Sequence, residues 1–400
     1  MRKPKILFLV TSFTRFKGDD SAWFDYLRLC TREGPEYDVV APHDREKSTG
    51  FEEIENVRVH RFQYFFPKGM QAIAYHGGAA YNLSRNPFAK AQFPFFMVSL
   101  FLKAAGNVRN KDLMHAIFLP SMLTAAILKK LTGKPYVIWV QRLVFGSGFM
   151  KWINLFVLRN CDHVFFNSSY TQKEALKKIT PKSHSILHMG VDLKLFRPMS
   201  KASVRKKLKL PKKRKIVFAI GRFVEKKGLE YLIEAMPLLK TKEVKLLIAG
   251  FGPMENELKR LVKKKKLGKK VGFVGPVPNK SVPLWLNACD IFVVPSIIDS
   301  RGETETLGIA AVEGIACGKP VIASSVGGLV DVVKKGISGF PVKQKNPEEI
   351  ASKIDLLFGN KALMESAGKK ARKFAEQNFS EQQAVEKTMA VYRKILGPWF

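Results

Sequence analysis

The feature that most constrains this chain is a repeated alternation of short apolar runs with amphipathic stretches. The runs are rich in Val, Ile and Phe, and they include KILFLV at residues 5–10, YDVVAP at 37–42 and PYVIWV at 135–140. Strands that alternate with helices in this way are typical of βα units around a parallel sheet. The sequence therefore predicts an α/β protein.

The alternation restarts after a Lys-rich, Pro-containing segment near residues 197–214. Further apolar runs then follow as KIVFAIG, VKLLIAG, VGFVG, DIFVVPS and PVIAS, with helical patterns between them. A chain of 400 residues also exceeds what a single hydrophobic core usually supports. We therefore predict two Rossmann-like, doubly wound domains that face a central cleft, with ligands at the carboxyl ends of the strands. Residues 381–400 have helical apolar spacing after an N-cap at Ser380.

Several classes of protein are excluded by the composition. The cysteines lie far apart with no CxxC pair, which fits neither a disulfide framework nor a zinc site and indicates buried thiols in a reducing compartment; they are Cys30, Cys161, Cys289 and Cys317. The basic and apolar N-terminus has no small-residue cleavage site, so it is interpreted as a first strand. The longest strongly apolar stretch, 93–102, is too short for a bilayer span of about 20 residues, and no transmembrane helix is predicted.

The net charge of +34 calls for an explanation. An anionic membrane, a nucleic acid and a solvated surface without a partner all fit such a charge. The most basic runs are KKLKLPKKRK at 206–215 and KKKKLGKK at 263–270, and neither contains an aromatic residue that could stack on a base. No nucleic-acid partner is therefore predicted.

Residues 61–105 differ from the rest of the N-terminal half, because they are aromatic and basic with weak periodicity. We predict irregular structure over the cleft for this segment. Its rings and cations could dock on an anionic membrane, although a buried core helix over 93–102 is a competing interpretation. The residues concerned are Phe65, Phe66, Phe93, Phe95 and Phe96 with Lys68, Arg85, Lys90 and Lys103.

The segment DSRGETETLGIAAVEGIACGKPVIAS, residues 299–324, has the most informative pattern in the chain. A helix is predicted to open near Thr306, with Glu305 and Glu313 bracketing its first two turns. The unpaired amides and the dipole at a helix start form an anion site that a diphosphate fits. A carboxylate two turns further on can accept both hydroxyls of a ribose. The spacing alone leaves open that both acids are ordinary charges on a helix face.

This segment resembles the retaining GT-B transferases of glycosyltransferase family 4. Their hallmark is two glutamates in a pattern like EGFGLxxxEAMAxGxPVVAS, and ETLGIAAVE followed by GIACGKPVIAS is similar. The resemblance implies that Glu313 binds the ribose of a donor and that Glu305 binds hydroxyls of the transferred sugar near the anomeric carbon. It also implies that amides around Thr306, Leu307 and Gly308 hold the diphosphate.

The resemblance covers essentially the whole chain and is strongest over 187–342. It implies a GT-B fold with an acceptor-binding domain at 1–195, a donor-binding domain at 196–380 and a C-terminal helix, 381–400, that returns to the first domain. Thr306 and Gly314 depart from the commonest residues of the family without removing any group assigned to the donor.

A second motif, GRFVEKKGLEYLIEA, begins at Gly221 directly after an apolar run. Glycine permits close backbone approach, while Arg222 and Lys227 place two cations where charge builds up on a departing nucleoside diphosphate. In a chain so rich in Lys and Arg, a fortuitous pair is the alternative. The resemblance assigns both cations to the pyrophosphate.

A third element, VKLLIAGFGPMENELKR, offers two glycines after a strand but not a dinucleotide fingerprint, since Glu255 occupies the third glycine position. Family members have a similar turn beside the nucleotide base. The resemblance therefore places Gly252 and Val274 in the base pocket, although a plain strand-to-helix turn explains them equally.

The N-terminal half matches the family less well. Gly18 stands in a loop where relatives often have a Gly-Gly pair, and Gln141 and Arg142 stand where many have His-Gly. His115 is retained from a DxxHAHxxxP pattern, and a satisfied core histidine is the alternative for it. Gly18, His115 and Gln141 are the candidates for binding the acceptor.

The resemblance implies a metal-independent, front-face hexosyl transfer from a UDP- or GDP-sugar, with no cofactor and no covalent nucleophile. Arg222, Lys227 and Glu305 are the candidate catalytic residues, and cations and helix amides take the place of a divalent ion. A lipid-linked or glycolipid acceptor and a cytoplasmic location, peripheral at the inner face of the membrane, are expected. A GT-B sugar-nucleotide epimerase, which lacks this glutamate spacing, and a basic nucleic-acid-binding protein are the alternative functions.

Overall fold

The structure is a computed structural model, and it describes residues 2–13, 21–43, 50–74, 79–141 and 148–397. The chain divides into two compact units. Unit 1 comprises Met1–Asn167, Thr171–Leu187 and Ala384–Phe400, and unit 2 comprises Ser168–Tyr170 and His188–Gln383. The division falls before the predicted boundary at residue 195, because Val191 and Phe196 are buried in the core of unit 2.

Within the described residues, unit 1 contains one eight-stranded sheet. Its strands are β1 (Lys5–Leu9), β2 (Glu36–Pro42), β3 (Phe51–Ile54), β4 (Val57–Phe62), β5 (Leu113–Ile117), β6 (Tyr136–Val140), β7 (His163–Phe166) and β8 (His184–Ile186). Their order is β3-β4-β2-β1-β5-β6-β7-β8, and every neighbouring pair is parallel except β3 with β4. The predicted parallel α/β sheet is confirmed.

Helices cover both faces of this sheet. They are α1 (Ser21–Arg32), α2 (Ala79–Arg85), α3 (Pro87–Val108), α4 (Leu119–Thr132), α5 (Phe149–Asn160), α6 (Ser169–Leu176) and, at the end of the chain, α15 (Glu381–Leu396). Helices α3, α4 and α5 bury one face each in a core that contains Leu7 and Leu9 of β1. Phe8 points to the opposite face and contacts Trp23 of α1, because successive strand residues alternate.

The prediction of irregular structure over 61–105 is wrong. Helix α3, which is 22 residues long, begins within this segment at Pro87 and ends just beyond it at Val108. Asn86 caps it by accepting hydrogen bonds from the amides of Phe88 and Ala89. The helix has apolar residues on both faces: Phe96 is buried, whereas Phe95 is exposed. A helix that is apolar all round has no amphipathic period, so its sequence shows no helical pattern.

Unit 2 contains a six-stranded parallel sheet in its described residues, with the order β11-β10-β9-β12-β13-β14. The strands are β9 (Lys215–Ile220), β10 (Val244–Ala249), β11 (Val271–Gly275), β12 (Ile291–Val294), β13 (Val321–Ser324) and β14 (Phe340–Val342). Its helices are α7 (Lys201–Lys207), α8 (Leu229–Ala235), α9 (Glu255–Lys264), α10 (Val282–Ala288), α11 (Ile309–Ala316), α12 (Leu329–Val332), α13 (Pro347–Gly359) and α14 (Lys361–Asn378). The restart of the pattern therefore marks a second Rossmann-like domain, as predicted.

The terminal helix returns to unit 1. The hydroxyl of Ser380 accepts a hydrogen bond from the amide of Gln383, which is the predicted N-cap contact. Further along α15, the Thr388 hydroxyl lies 2.6 Å from the Tyr26 hydroxyl of α1. The predicted return of this helix to the first domain is confirmed.

The cysteines and the hydropathy of the helices agree with the sequence. Each of the four thiols is buried and unpaired, as predicted. In the part of the chain that the structure describes, no helix combines the length and apolar character needed to cross a bilayer.

Candidate active site

The candidate site lies at the topological switch point of the sheet in unit 2. Strands β9 and β12 are neighbours there, and the chain continues from β9 toward one edge of the sheet and from β12 toward the other. The loop that begins at Gly221 and the loop that leads from β12 to Glu305 both leave the carboxyl edge at this point. Open parallel sheets bind their ligands in the crevice that such diverging loops form.

An ion pair joins these two loops. Lys227 Nζ donates a hydrogen bond to Glu305 Oε1 at 2.6 Å, and the Ser296 hydroxyl donates to the same oxygen at 3.2 Å. Burial opposes ionisation of the Glu305 carboxyl, but Lys227 outweighs it and the pKa of Glu305 lies below its ordinary value. Glu305 is therefore a buried carboxylate that stays charged.

Gly221 makes room for this lysine. A Cβ atom at Gly221 would lie 3.3 Å from Lys227 Cε and 3.4 Å from Cδ, so the lysine side chain passes directly over the bare Cα atom. Arg222, the next residue, is exposed on the same loop. The structure thus brings Gly221, Lys227 and Glu305 together, as their order along the chain suggested.

Glu313 lies on α11 in a different electrostatic environment. Burial raises the pKa of its carboxyl to about 8, and the positive charge of Lys227 offsets this only in part. No described residue donates a hydrogen bond to that carboxyl. Near neutral pH, Glu305 is ionised while Glu313 is mostly protonated. Two carboxyl groups whose pKa values are driven apart in this way are typical of functional sites.

The helix of the glutamate motif begins later than predicted. Its first residue is Ile309, and Glu305 lies in the preceding loop. Gly308 is in the left-handed region, with φ at 88°, so a helix cannot run through it from Thr306. Leu307 and Gly308 are buried at this turn and Thr306 is half-buried. The backbone of residues 306–308 therefore lies directly before the first amides of α11.

A glycine pair after β13 packs closely against the backbone of this turn. A Cβ at Gly327 would lie 2.0 Å from the carbonyl oxygen of Glu305, and one at Gly328 would lie 2.2 Å from that of Thr306. The Gly328 amide donates a hydrogen bond to the Glu305 carbonyl at 2.8 Å. Sequence reasoning missed Gly327, Gly328 and Ser296. The GG dipeptide, separated from the end of β13 by two residues, was an available signal for the two glycines, whereas nothing in the sequence distinguished Ser296.

Gly252 and Val274 lie at the next two strand ends. Gly252 packs against the backbone of Phe223, whose nitrogen would lie 2.7 Å from a Cβ at Gly252. The Phe223 carbonyl also accepts a hydrogen bond from the Met254 amide at 3.0 Å. Val274 is half-buried in β11. The contact with Phe223 requires glycine at position 252 whatever ligand binds beside it, so the strand-to-helix turn explains this residue without a nucleotide.

Of the three candidates for acceptor binding, His115 and Gln141 lie within the described residues. Gly18 lies outside the described residues, as does Arg142. His115 is fully buried in unit 1, with Nδ1 2.7 Å from the Tyr392 hydroxyl, and burial lowers its pKa to about 3. This placement fits the alternative of a core histidine. Gln141 follows β6 with a buried side-chain amide nitrogen that has no hydrogen-bond partner in the described part of the chain.

Gly314, which departs from the usual residue of the family, has a packing reason. A Cβ at this position would lie 2.5 Å from Cδ1 of the buried Phe292 ring on β12. We expect Gly314→Ala to lower the free energy of unfolding by about 1–3 kcal/mol, although alanine favours a helix interior by roughly 0.5–1 kcal/mol. Denaturant titration measures the change. Gly268→Ala, where no atom lies within 4 Å of the added Cβ, is the matched control, and equal stabilities of the two variants would contradict the packing argument.

Comparison with solved structures identifies the class of fold. Sucrose-phosphate synthase from Thermosynechococcus elongatus is similar over 98% of this chain and 99% of its own, with a TM-score of 0.79 at 22% identity. HepE from Anabaena, solved with UDP, is similar over 98% and 100% of the two chains, with a TM-score of 0.76 at 19% identity. The chain therefore has the GT-B fold of two Rossmann-like domains with parallel sheets.

Comparison of sequences finds a family match over part of the chain. Residues 200–374 match the family model of the Glycosyl transferases group 1. An uncharacterized glycosyltransferase of Methanocaldococcus jannaschii is 33% identical over 48% of this chain and 48% of its own. D-inositol 3-phosphate glycosyltransferase 1 of Catenulispora acidiphila is 32% identical over 56% and 54% of the two chains. The chain spans about half the length of the curated relatives it matches. Both relatives are named as glycosyltransferases.

Proposed function

We propose that the protein transfers a hexose from a nucleoside-diphosphate sugar to a hydroxyl acceptor, with retention of configuration. The observation that carries the proposal is the arrangement of two glutamates around Lys227. Glu305 is ionised and paired with this lysine, while Glu313 is half-buried with a raised pKa, at the switch point of a unit that matches Glycosyl transferases group 1. Such a site can bind polyhydroxylated and anionic parts of one ligand at once.

The donor is a UDP- or GDP-sugar in this proposal. Its ribose hydroxyls donate to Glu313, whose carboxyl has no donor among the described residues. Its diphosphate accepts from the amides around Leu307 and Gly308, at the start of α11. Gly252 and Val274 border the base. HepE, which shares the fold, has been solved with UDP and with UDP-glucose, and this supports a uridine nucleotide as the first to test.

The proposed reaction is a front-face substitution. The bond between the anomeric carbon and the diphosphate breaks, the acceptor hydroxyl oxygen bonds to that carbon from the same face, and its proton passes to the departing phosphate oxygen. Lys227 and Arg222 stabilise the negative charge that builds up on the leaving group, and Glu305 holds hydroxyls of the sugar near the anomeric carbon. Because Lys227 is fixed by Glu305, it is positioned before the donor arrives.

Cations of the protein take the place of a metal ion in this mechanism. We expect UDP- or GDP-sugars to raise the melting temperature of the protein equally with and without EDTA, because Lys227 and the α11 amides bind the diphosphate directly. A thermal-shift screen of nucleoside diphosphates and their sugars measures this, and inorganic pyrophosphate, which carries no ribose, is a control for non-specific binding of diphosphate. Failure of every nucleotide sugar to stabilise the protein would overturn the proposed function. Stabilisation that EDTA abolishes and manganese restores would overturn its metal independence.

For the acceptor we propose a hydroxyl of a glycolipid, a lipid-linked sugar or a cell-envelope glycan, met at the inner face of the cytoplasmic membrane. One relative, a putative colanic acid biosynthesis glycosyltransferase of Salmonella typhimurium, is 29% identical over 52% of this chain and 50% of its own. Its name supports an envelope glycan. The unpartnered side-chain amide of Gln141 is the polar group in unit 1 that we assign to the acceptor.

A further inference from the structure

The exposed surface of helices α3, α4 and α5 is unusually apolar. These helices lie on one face of the sheet in unit 1, since all three bury residues in the same core. Their outward surface nevertheless carries large apolar side chains: Phe88, Phe95, Val98 and Leu102 on α3, Leu131 on α4 and Trp152 on α5. We call this surface the helix face. Surface helices normally carry polar residues on the side that faces water, so the helix face indicates a contact with something other than water.

The spacing on α3 shows that this exposure is systematic. Phe88, Phe95, Val98 and Leu102 recur at intervals of seven, three and four residues, which places them along one stripe of the helix. Phe95 is 58% exposed and Leu102 is 63% exposed. Phe66, in the segment after β4, is 85% exposed, and its neighbour Phe65 contacts the rings of Phe88 and Phe95. The stripe therefore continues beyond the helix.

The helices of the helix face carry basic residues and no acidic ones, and the carboxylate that follows α5, Asp162, is paired with Lys129 of α4 at 2.6 Å. From residue 56 to residue 161 the sequence contains 14 Lys and Arg but one acidic residue, Asp112. Asp112 is at the amino edge of the sheet, where it accepts a hydrogen bond from the Lys5 amide and pairs with Arg2. Helices α2, α3, α4 and α5 contain no Asp or Glu at all, and Lys90, Lys130 and Lys151 are exposed on them. The helix face thus combines exposed apolar side chains with basic residues, and its helices contribute no acidic residue.

We propose that the helix face docks on the surface of an anionic lipid bilayer. Apolar side chains enter the boundary between headgroups and acyl chains, while the lysines meet anionic headgroups. The charge argues against a second copy as the occupant, because two faces that carry only cations repel each other. This inference rests on the surface of unit 1 and not on the chemistry of unit 2. It deepens the proposed function, since a bilayer would present a lipid-linked acceptor to the protein.

Vesicle co-sedimentation of the full chain tests the proposal. We expect binding to vesicles of phosphatidylcholine with phosphatidylglycerol at low salt, and binding at least about a hundredfold weaker to phosphatidylcholine alone, which attracts none of the lysines. Reversing three lysines of the helix face, as Lys90→Glu, Lys130→Glu and Lys151→Glu together, should weaken binding to the anionic vesicles about a hundredfold, since each lysine near the surface contributes roughly fivefold. Replacing two apolar tips, as Phe95→Ser with Leu102→Ser, should weaken it by about tenfold.

Matched variants separate the helix face from the charge of the whole molecule. Lys263→Glu, Lys265→Glu and Lys269→Glu reverse three exposed lysines of unit 2, and Phe51→Ser with Leu356→Ser removes two exposed apolar side chains that lie off the helix face. We expect both control variants to bind anionic vesicles with an affinity within about threefold of that of the wild type. Circular dichroism of all four variants confirms that each is folded.

Three results would overturn the proposal. One is an absence of binding to anionic vesicles at low salt, and another is an equal loss in the helix-face variants and their matched controls. The third is a dimer in solution that Phe95→Ser with Leu102→Ser converts to monomer, which would assign the helix face to self-association. Nucleotide-sugar binding in the thermal-shift screen is measured without vesicles, so failure of the docking surface and failure of the proposed transferase function are distinguishable.

Discussion

Replacing Glu313 with alanine is expected to weaken nucleotide-sugar binding by about 10- to 100-fold. Glu313 is half-buried on α11 and its carboxyl has no hydrogen-bond donor among the described residues, so a ribose would supply its donors. Without the carboxyl, two ribose hydroxyls are desolvated with no acceptor, which costs about 1–3 kcal/mol. Isothermal titration calorimetry with UDP- and GDP-sugars measures the loss. Unchanged affinity for every nucleotide sugar that binds the wild type would contradict the role of Glu313.

The pH dependence of that affinity provides an independent check on Glu313. Its carboxyl has a pKa of about 8 in the free protein, so it is mostly protonated at pH 7. Ribose hydroxyls donate best to the ionised form, and binding must then release a proton. Affinity should rise by up to about tenfold per pH unit below pH 8 and level off above it. A nucleotide sugar has both phosphates esterified, so it does not titrate in this range. Glu313→Gln cannot ionise and should remove the slope.

The same raised pKa affects the stability of the protein without ligand. Because the folded-state pKa of Glu313 exceeds its ordinary value of 4.5, folding favours the protonated form. The contribution of Glu313 to stability is full below about pH 4.5 and is lost as the pH rises through 8. Glu313→Gln should therefore lose less stability than the wild type as the pH rises from about 4.5 to 8, and denaturant unfolding at the two ends of that range measures the difference.

The sequence predicted the donor side of the fold well, because its signals are local. Each apolar run predicted in unit 2 forms a strand. Gly221, Gly252 and Glu305 follow the ends of three of these strands, which lie at the same edge of the sheet because the strands are parallel. The sequence could not show that the pKa of Glu305 is lowered while that of Glu313 is raised. This difference depends on Lys227, which is 78 positions from Glu305 along the chain and reaches it only in the folded sheet.

In unit 1, prediction failed where a residue's environment was decided by packing. The apolar character of α3 on both sides concealed its helical period, so Phe96 and Phe95 were indistinguishable in the sequence although one is buried and the other is exposed. His115 likewise was a candidate for binding the acceptor, but it lies in the middle of β5 with its side chain fully buried. Its place is decided by Tyr392, from the last helix of the chain, which covers the ring and hydrogen-bonds to it.

Lys227→Met is expected to lower kcat by about 10²- to 10³-fold. Lys227 is the cation that we place against the departing diphosphate, and removal of one such preorganised group costs about 2.7–4 kcal/mol of transition-state stabilisation. The substitution also leaves Glu305 buried, with the Ser296 hydroxyl as its remaining side-chain donor among the described residues, so some stability should be lost as well, on the order of 1–3 kcal/mol. Steady-state kinetics and denaturant unfolding of the same preparation measure the two effects. Lys240→Ala, which changes an exposed lysine ahead of β10 at the opposite edge of the sheet, is the control.

A double variant separates the role of Lys227 in transfer from its role in the fold. Lys227→Met with Glu305→Gln removes both charges, so the buried carboxylate no longer lacks a cation and most of the lost stability should return. If the lysine acts on charge that develops during transfer, activity should stay as low in the double variant as in Lys227→Met, because neither the cation nor the carboxylate is restored. Recovery of activity together with stability would show that Lys227 does no more than neutralise Glu305, and the positive charge for the leaving group would then have to come from Arg222 and the amides of α11.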